Sequence, residues 1–490
     1  MINLGKSLKL FPHILSVACL LSCAKDEVSP VATTPITNTP TTNLSATYNS
    51  NGLFVNRYSF ALTTKEYPLY DPKNTGGLSG GIDQATNGAL LYSYQNVEHI
   101  IINPNKNGGN YTSPLHFINT KSDWKLESGD FGKLMDMPRN TVMVSDGIYA
   151  WANASVEDNV TGNAYISKTG SANEISWQKL STKDGFYHYI TSGDIDNDGS
   201  PEILTYKGAE IGNPETFEVY NKNGSIYSNS NLLPSVQEFE KLTGATDFSF
   251  GSIIVANIDS NTPQNELILT SSRNVMNLQF SFIILNLNLT TKKFEITKII
   301  KPDGALKEFR LAVADVRTGN FNDDNFLDLV VSMGEGIDNK RGIQIWYGDG
   351  KGNFTPGKSK IYVPSDLVDF TNFEVGRYGN KKFDDIFLHF NAKNVTIATN
   401  VNGLDLNKFY LINDGLKDSP FTNPINLFLP YSTITYDKNA AQYMMPTFIK
   451  GYFINNKLRM IGFRGRLDMY GNNNTDYKGY NEFDLYDLTF

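Results

Sequence analysis

The most informative chemical pattern in this sequence is a group of acidic side chains at alternate positions of one short segment. The segment contains Asp194, Asp196, Asp198, Gly199 and Glu202. In a tight loop between two strands, this spacing turns alternate side chains inward and supplies the hard oxygen ligands that Ca²⁺ prefers. The start matches an EF-hand loop, but position twelve is Thr205 instead of Glu, and a predicted strand follows where a helix should begin. We therefore predict a Ca²⁺ site in a strand-to-strand loop.

Three further segments repeat this pattern with fewer carboxylates. The second predicted site, a weaker one, consists of Asn320, Asn322, Asp324 and Asp328. A still weaker candidate, stretched by one residue, consists of Asn257, Asp259, Asn261 and Glu266. In a fourth segment Arg377, Gly379 and Lys381 occupy the ligand positions, so we predict no metal there. We expect such ions to brace loops, with an empty Asx-turn or a direct ligand-bridging role as the alternatives.

Residues that could carry catalysis lack visible partners. Four histidines follow the N-terminal region, namely His99, His116, His188 and His389. No constellation around them predicts a general base, so we expect packed or rim positions. The four tryptophans are Trp124, Trp151, Trp177 and Trp346. They could form stacking platforms for sugar rings, although packing between sheets is the favoured expectation.

A repeat of about sixty residues must position these segments. Its units start at Gly129, Gly193, Ala256, Gly319, Gly376 and Gly451, with intervals of 64, 63, 63, 57 and 75 residues. Branched and aromatic runs alternate with Asn-Gly and Asp-Gly turns, which is typical of β-hairpins. Four-stranded sheets repeated around an axis make a β-propeller. Residues 53–490 therefore predict an all-β propeller of four-stranded blades, with seven blades favoured and six or eight as alternatives.

The strongest repeat units resemble a known family. Gly193-Asp194-Ile195-Asp196-Asn197-Asp198-Gly199, with the downstream Tyr347-Gly348-Asp349-Gly350-Lys351-Gly352-Asn353-Phe354, is similar to the FG-GAP or VCBS repeat of integrin α-type propellers. The resemblance implies a propeller scaffold whose loops are braced by Ca²⁺. Such repeats occur in adhesins, in polysaccharide-degrading enzymes and in lipoproteins, so the resemblance does not decide the function.

Composition excludes several classes of protein. The 490 residues are 40% hydrophobic and 12% aromatic, which is ample for a large core and excludes disorder for most of the chain. Lys and Arg total 43 against 51 Asp and Glu. A net charge of -8 without a long basic run argues against nucleic acid as a partner.

The N-terminus resembles that of a bacterial lipoprotein. Residues 1–22 read as a signal peptide with a basic start and an apolar stretch too short to span a bilayer. The stretch ends in Leu20-Leu21-Ser22-Cys23, which resembles a lipobox, so Cys23 is predicted to be acylated and to insert into outer-membrane lipid. The next residues, Ala24-Lys25-Asp26-Glu27, resemble an export signal of Bacteroidetes-type bacteria and predict display on the exterior.

Between the anchor and the propeller we expect a spacer. Residues 23–52 combine the lipidated cysteine with a Thr/Pro-rich stretch that lacks hydrophobic periodicity, which predicts a flexible tether. The whole chain is then expected to be a surface-anchored propeller that binds a glycan or a surface protein by way of adhesion rather than catalysis. The alternative is a polysaccharide lyase or hydrolase on the same scaffold.

Overall fold

The computed structural model describes a subset of the chain that folds into antiparallel sheets. The described residues are 43–50, 53–61, 89–102, 115–119, 124–127, 138–153, 163–180, 187–207, 216–227, 232–243, 249–272, 282–300, 316–333, 340–364, 368–379, 381–392, 408–411, 413, 425–426, 445–454, 457–465 and 482–489. Residues 1–42 lie outside them, so the signal peptide, Cys23 and most of the tether stay predictions.

Strands and one helix follow one another in a regular order. The described part opens with β1 (Asn43–Ser50) and β2 (Leu53–Ala61). Sheet 1 comprises β3 (Ala89–Tyr94), β4 (Val97–Ile102), β5 (Leu115–Asn119) and β6 (Trp124–Glu127). Sheet 2 comprises β7 (Pro138–Ser145), β8 (Ile148–Asn153), β9 (Ala164–Thr169) and β10 (Ile175–Lys179). Sheet 3 comprises β11 (Tyr187–Gly193), β12 (Glu202–Lys207) and β13 (Thr216–Asn221), and the helix α1 (Val236–Thr243) follows it.

The second half continues in the same way. Sheet 4 comprises β14 (Ser249–Ala256), β15 (Glu266–Ser272), β16 (Phe282–Asn288) and β17 (Lys293–Ile300). Sheet 5 comprises β18 (Val316–Gly319), β19 (Asp328–Met333), β20 (Lys340–Gly348) and β21 (Phe354–Pro364). Sheet 6 comprises β22 (Val368–Gly376), β23 (Asp385–Ala392), β24 (Lys408–Leu411) and β25 (Ile425–Asn426). The closing sheet contains β26 (Met445–Ile454), β27 (Lys457–Gly465) and β28 (Glu482–Thr489), extended by β2 and β1.

The first strands of the sheets meet in a ring. Strand β3 contacts β7, and the contacts continue through β11, β14, β18, β22 and β26 back to β3. Within each of sheets 1 to 6, every strand pairs antiparallel with its neighbour in sequence, so each of these sheets is a meander. A ring of such sheets is a β-propeller, which avoids long exposed edges by closing on itself. The predicted all-β propeller of four-stranded blades is thereby confirmed.

The number of complete blades differs from the favoured expectation of seven. In the described residues six sheets have four or more strands, the count that the sequence gave as an alternative. Sheet 3 has three strands, because the chain after β13 turns at Gly224 and makes a single bridge between Tyr220 and Ile226. Among the described residues the structure therefore shows the alternative of six blades with four or more strands instead of the favoured seven.

The closing sheet joins the two ends of the described chain. Strand β2 pairs with β28 over eight residues, from Phe54 opposite Thr489 to Ala61 opposite Glu482, and β1 pairs with β2 on its outer side. Strand β1 lies in residues that the sequence assigned to the tether. The first strand of the described part therefore begins at Asn43, ahead of the predicted start of the propeller at residue 53.

Small residues allow neighbouring first strands to approach closely. A Cβ on Gly193 would lie 2.5 Å from the Cβ of Val255, and one on Gly376 would lie 2.2 Å from the Cγ of Phe453. Contacts of that length do not occur between real atoms, so a side chain at either position would push two sheets apart. The glycines of the repeat are therefore required by packing between sheets.

The helix α1 begins at a hydrogen-bonded cap. Ser235 and Glu238 form a capping box: the Ser235 Oγ accepts the Glu238 N–H at 3.3 Å, and the Glu238 carboxylate accepts the Ser235 N–H at 2.7 Å. The helix has eight residues, and no helix of the described part is long and apolar enough to cross a bilayer.

Candidate functional site

Four buried acids occupy one equivalent position in sheets 3 to 6. Each is the first residue of the second strand and pairs in register with the last residue of the first strand. The pairs are Gly193 with Glu202, Ala256 with Glu266, Gly319 with Asp328, and Gly376 with Asp385. The acids, called the closing acids below, are at most 2% exposed. A buried carboxylate is costly unless it is hydrogen-bonded or paired, so each loop must supply partners.

In sheet 3 the loop before the closing acid gathers three carboxylates. One oxygen from each of Asp194, Asp196 and Glu202 lies within 4.8 Å of the others. Asp194 accepts the backbone N–H groups of Asp198 at 3.1 Å and Gly199 at 2.8 Å, which holds the loop in a tight turn. Among the described residues, these three side chains form the one group of at least three that could together hold a metal ion.

Two features show that the negative charges of these three carboxylates are not fully compensated by neighbouring groups. The buried Oδ1 of Asp196 has no hydrogen-bond partner. The pKa of Glu202 is raised to about 7, chiefly by burial and also by the negative charges of Asp196, Asp198 and Asp194, while the N–H of Ile195 acts to lower it. Because the carboxylates disfavour one another's charge, a cation between them would relieve the repulsion.

Tyr227 belongs to the site although it lies 31 residues beyond Asp196. Its Oη donates a hydrogen bond of 2.8 Å to the Oδ2 of Asp196. Burial and this contact raise the pKa of the Tyr227 hydroxyl, so the group stays a donor. Nothing in the spacing of the sequence could reveal Tyr227, because it reaches the loop only through the turn that ends β13.

Asp198, which was also predicted as a ligand, forms a hydrogen bond within the loop. Its carboxylate accepts the N–H of Ser200 at 2.8 Å, and the residue is exposed. It is not one of the three gathered side chains. The negative charge of Asp198 is nevertheless one of the charges that raise the pKa of Glu202.

In sheet 4 the closing acid is satisfied within the protein. One oxygen of Glu266 accepts the N–H groups of Ile258 at 2.9 Å and Asp259 at 3.2 Å. The other accepts the hydroxyl of Thr262 and the amide of Asn286. The remaining predicted ligands, Asn257 and Asn261, are exposed. Asn261 donates two hydrogen bonds to Asp259, so an ion here would have to displace bonds that already exist.

Sheet 5 shows the same arrangement. The two oxygens of Asp328 accept the N–H groups of Phe321 and Gly348, each at 2.9 Å. Asn322 and Asp324 hydrogen-bond one another, and Asn320 donates its N–H to Asp384 at 2.7 Å. The predicted Ca²⁺ sites of sheets 4 and 5 stay predictions, and the structure gives their closing acids protein donors.

In sheet 6 the ammonium group of a lysine lies beside the closing acid. The Nζ of Lys381 lies 2.9 Å from the carboxylate of Asp385, and the N–H of Asn413 donates to the other oxygen at 2.8 Å. Arg377 pairs with Asp384 at 3.1 Å. Two of the three residues that the sequence placed at ligand positions here thus supply positive charge, which is the reason why we predicted no metal.

The histidines and tryptophans lie mostly inside the protein. His99 and His116 are 0% and 2% exposed and hydrogen-bond one another at 2.9 Å, whereas the side chains of His188 and His389 lie outside the description. Three of the four tryptophans are buried, namely Trp124, Trp151 and Trp346. Trp177 is half-buried against Tyr165. The favoured expectation of packing between or within sheets holds for the three buried rings.

One sequence match to a phosphate-binding pattern is explained by the fold. Gly352 to Ser359 reads Gly-x-x-x-x-Gly-Lys-Ser, the spacing of a P-loop. That function requires a loop which leads into the N-terminus of a helix. Here Phe354–Pro364 is strand β21, so the match has no phosphate-binding geometry.

Comparisons with known proteins leave the function open. No protein-family model matches the chain, and no curated protein matches it. Among solved structures it is similar to the Dos1 propeller, at 11% identity and a TM-score of 0.38 over 81% of this chain and 78% of that one. It is similar to a mutant of AofleA from Arthrobotrys oligospora, at 10% identity and a TM-score of 0.39 over 72% of this chain and 92% of that one. It is also similar to the catalytic domain of a GH62 α-L-arabinofuranosidase from Coprinopsis cinerea, at 12% identity and a TM-score of 0.35 over 72% and 92%.

Proposed function

We propose that this protein is a lipid-anchored β-propeller that binds a partner protein at the cell surface and whose sheet 3 is braced by Ca²⁺. The observation that carries the calcium part is the gathering of Asp194, Asp196 and Glu202 within 4.8 Å, with one buried carboxylate oxygen unpartnered. Carboxylate oxygens are the donors that Ca²⁺ takes in proteins, and water and backbone carbonyls complete its shell of six to eight ligands.

The calcium would act on structure rather than on chemistry. The loop joins β11, a first strand of the ring, to β12, and Tyr227 ties it to the outer edge of the same sheet. An ion at Asp194, Asp196 and Glu202 would therefore hold the two strands and that edge together. Sheet 3 is the sheet in which the described residues form three strands instead of four, so it has the most to gain from a brace.

Binding is favoured over catalysis by the placement of the titratable groups. The described histidines, His99 and His116, are buried and face one another, so neither can reach a substrate. The closing acids of sheets 4 to 6 are occupied by protein donors. A glycosidase needs two carboxyl groups that face each other across a sugar, and these acids are each buried in a separate sheet.

A protein partner is favoured over a glycan by the burial of the indole rings. Sugar binding commonly uses an exposed aromatic face, and Trp124, Trp151 and Trp346 have none to offer. The anchor follows from the lipobox-like sequence, with Cys23 inserted into outer-membrane lipid by its acyl chains.

An assay of turnover tests the binding function. The mature chain without its lipid anchor is incubated with a panel of polysaccharides, with and without Ca²⁺, and reducing ends and unsaturated products are measured. We expect neither product, and we expect cross-linking on intact cells to capture one recurrent protein, in amounts that fall in the Asp196→Asn variant. Catalytic release of sugar products would overturn the proposal. A Cys23→Ala variant tests the anchor, since it should leave the membrane fraction.

A further inference from the structure

A pair of buried histidines lies where sheet 1 meets sheet 2. His99 on β4 and His116 on β5 have parallel rings with centroids 5.2 Å apart, and the Nδ1 of His99 lies 2.9 Å from the Nε2 of His116. A hydrogen bond between two imidazole nitrogens needs one proton and one lone pair. At least one of the two rings must therefore be neutral, because the nitrogen that accepts the hydrogen bond carries a lone pair and no proton.

The pair is linked to sheet 2 through Tyr92. The ring of Tyr92 stacks on His99 with centroids 4.8 Å apart, and its Oη shares a hydrogen bond of 2.7 Å with the Oγ1 of Thr169 on β9. The Tyr92 ring also lies 6.1 Å from that of Tyr149 on β8, which is fully buried. A displacement of the histidines would thus be transmitted directly to the contact between the two sheets.

Few groups near the pair could compensate a positive charge. Tyr92 and Tyr94 face His99 from β3, and Asn173 and Thr169 approach from sheet 2. Glu174, in the same turn as Asn173, already accepts the N–H of Ala172 at 3.0 Å, and Glu98 on β4 pairs with Arg459. On β6, Glu127 pairs with His116 in backbone register.

We propose that the His99–His116 pair is an acid-sensitive lock on the contact between sheets 1 and 2. Uptake of protons from solvent by the two imidazoles places like charges in contact inside an apolar cluster, separates the stacked rings and loosens the Tyr92–Thr169 link. Burial lowers the pKa of His99 to about 4, and burial together with the neighbouring His99 lowers that of His116 to about 3. Both rings are therefore neutral in the closed state near neutral pH.

The sign of the pH dependence follows from these values. An unfolded histidine takes up its proton near pH 6.5, whereas the folded pair resists protonation until about pH 4. Between these values the unfolded state binds up to two more protons, so stability is full above pH 6.5 and is lost as the pH falls. Near pH 5.5, each unit by which the pH falls should raise the unfolding equilibrium constant by up to about a hundredfold through this pair.

Unfolding of the mature chain by denaturant between pH 7.5 and 5.5 tests the lock. We expect the double variant His99→Gln/His116→Gln to bind close to two fewer protons on unfolding than the wild type. When the control substitutions His188→Gln and His389→Gln are added to both of these proteins, the difference in proton binding between the two should stay the same. An equal pH dependence in the wild type and the His99/His116 variant would overturn the proposal.

If the His99→Gln/His116→Gln variant fails to fold, a second measurement, on the wild type, tests the proposal. Hydrogen exchange of the wild type, corrected for the intrinsic pH dependence of exchange, should show faster exchange at pH 5.5 than at pH 7.5 in peptides from β3–β6 and β7–β10. Peptides from β14–β17 should keep their protection. Loss of protection that is uniform, or that starts outside sheets 1 and 2, would contradict a lock at this contact.

Discussion

The ammonium group of Lys381 lies 2.9 Å from the buried carboxylate of Asp385, at the position in sheet 6 where sheet 3 gathers three carboxylates around Glu202. Both closing acids are the first residue of the second strand of their sheet. One repeat unit thus carries its own cation, whereas the other leaves an acidic group that a Ca²⁺ ion would neutralise. We propose that the same fold position is neutralised by Lys381 in sheet 6 and by Ca²⁺ in sheet 3.

Removal of the internal cation should destabilise the protein. Lys381→Met removes the ammonium group from the carboxylate of Asp385, which is 0% exposed and also accepts the N–H of Asn413. Because breaking one side of a buried pair strands a charge, and because Lys381 is itself partly exposed, we expect a loss of about 1–3 kcal/mol in the free energy of unfolding. Denaturant unfolding at pH 7 measures it.

The neighbouring lysine provides the matched control. Lys382 pairs with Asp323, and both side chains are more than half exposed. Exposed pairs contribute at most about 1 kcal/mol, so Lys382→Met should change the unfolding free energy by less than about 0.5 kcal/mol. An equal effect of the two lysine substitutions would contradict the role given to Asp385.

The closing acid of sheet 5 should be sensitive to a substitution of one atom. Each oxygen of Asp328 accepts one backbone N–H, from Phe321 and from Gly348. In Asp328→Asn an amide NH₂ would face one of these donors, so a buried N–H loses its acceptor. We expect a loss of about 2–4 kcal/mol, measured by denaturant unfolding. Asp323→Asn, at an exposed position of the same loop, should have little effect, and a large effect there would contradict this account.

Sequence reasoning captured the repeat and the loops because both depend on local spacing. The register of Glu202 with Gly193 and of Asp328 with Gly319 follows from loops of equal length, which the intervals in the sequence already revealed. That the described residues of sheet 3 form three strands instead of four, and that β1 pairs with β2, could not be predicted in this way. Whether the residues after Tyr220 form a strand, and whether Asn43–Ser50 pairs with β2, is decided by tertiary packing rather than by local composition.

The candidate site was likewise predictable only in part. Asp194, Asp196 and Glu202 are close in sequence, so their meeting could be inferred from a loop. Tyr227 could not, since its contact with Asp196 depends on how β13 ends. Nor could spacing show that Glu266 and Asp328 receive their hydrogen bonds from the protein, because donors such as Asn286 and Gly348 come from distant strands.

Close packing between first strands should make Gly376 intolerant of a methyl group. A Cβ there would lie 2.2 Å from the Cγ of Phe453, so Gly376→Ala should cost about 2–4 kcal/mol. Gly199→Ala is the control for backbone strain, because Gly199 has a φ of 85° but no atom within 4 Å of a Cβ. Its cost should be about 1–2 kcal/mol. Denaturant unfolding compares the two.

A second variant separates the steric cause from other causes. If Phe453 is the obstacle, Phe453→Ala should reduce the additional cost of Gly376→Ala, and a double-mutant cycle should show a coupling of about 1 kcal/mol or more. Strictly additive effects would contradict the proposed clash between β22 and β26.

The N-terminal strands should be needed to close the propeller. A chain that begins at residue 43 keeps both β1 and β2, whereas one that begins at residue 62 leaves β28 as an open edge. Exposed edges destabilise sheets and promote association. We expect the longer form to stay monomeric with cooperative unfolding, and the shorter form to unfold at lower denaturant and to associate, as measured by light scattering. Equal behaviour of the two forms would contradict closure by β2.

Titration calorimetry of Ca²⁺ into the metal-free mature chain tests the central claim most directly. The account predicts binding at the loop of sheet 3 that is lost in Asp196→Asn and in Glu202→Gln but kept in Asp324→Asn, together with a rise in the thermal midpoint when Ca²⁺ is in excess. Absence of calcium binding by the wild type, or binding that Asp196→Asn and Glu202→Gln leave unchanged, would contradict it.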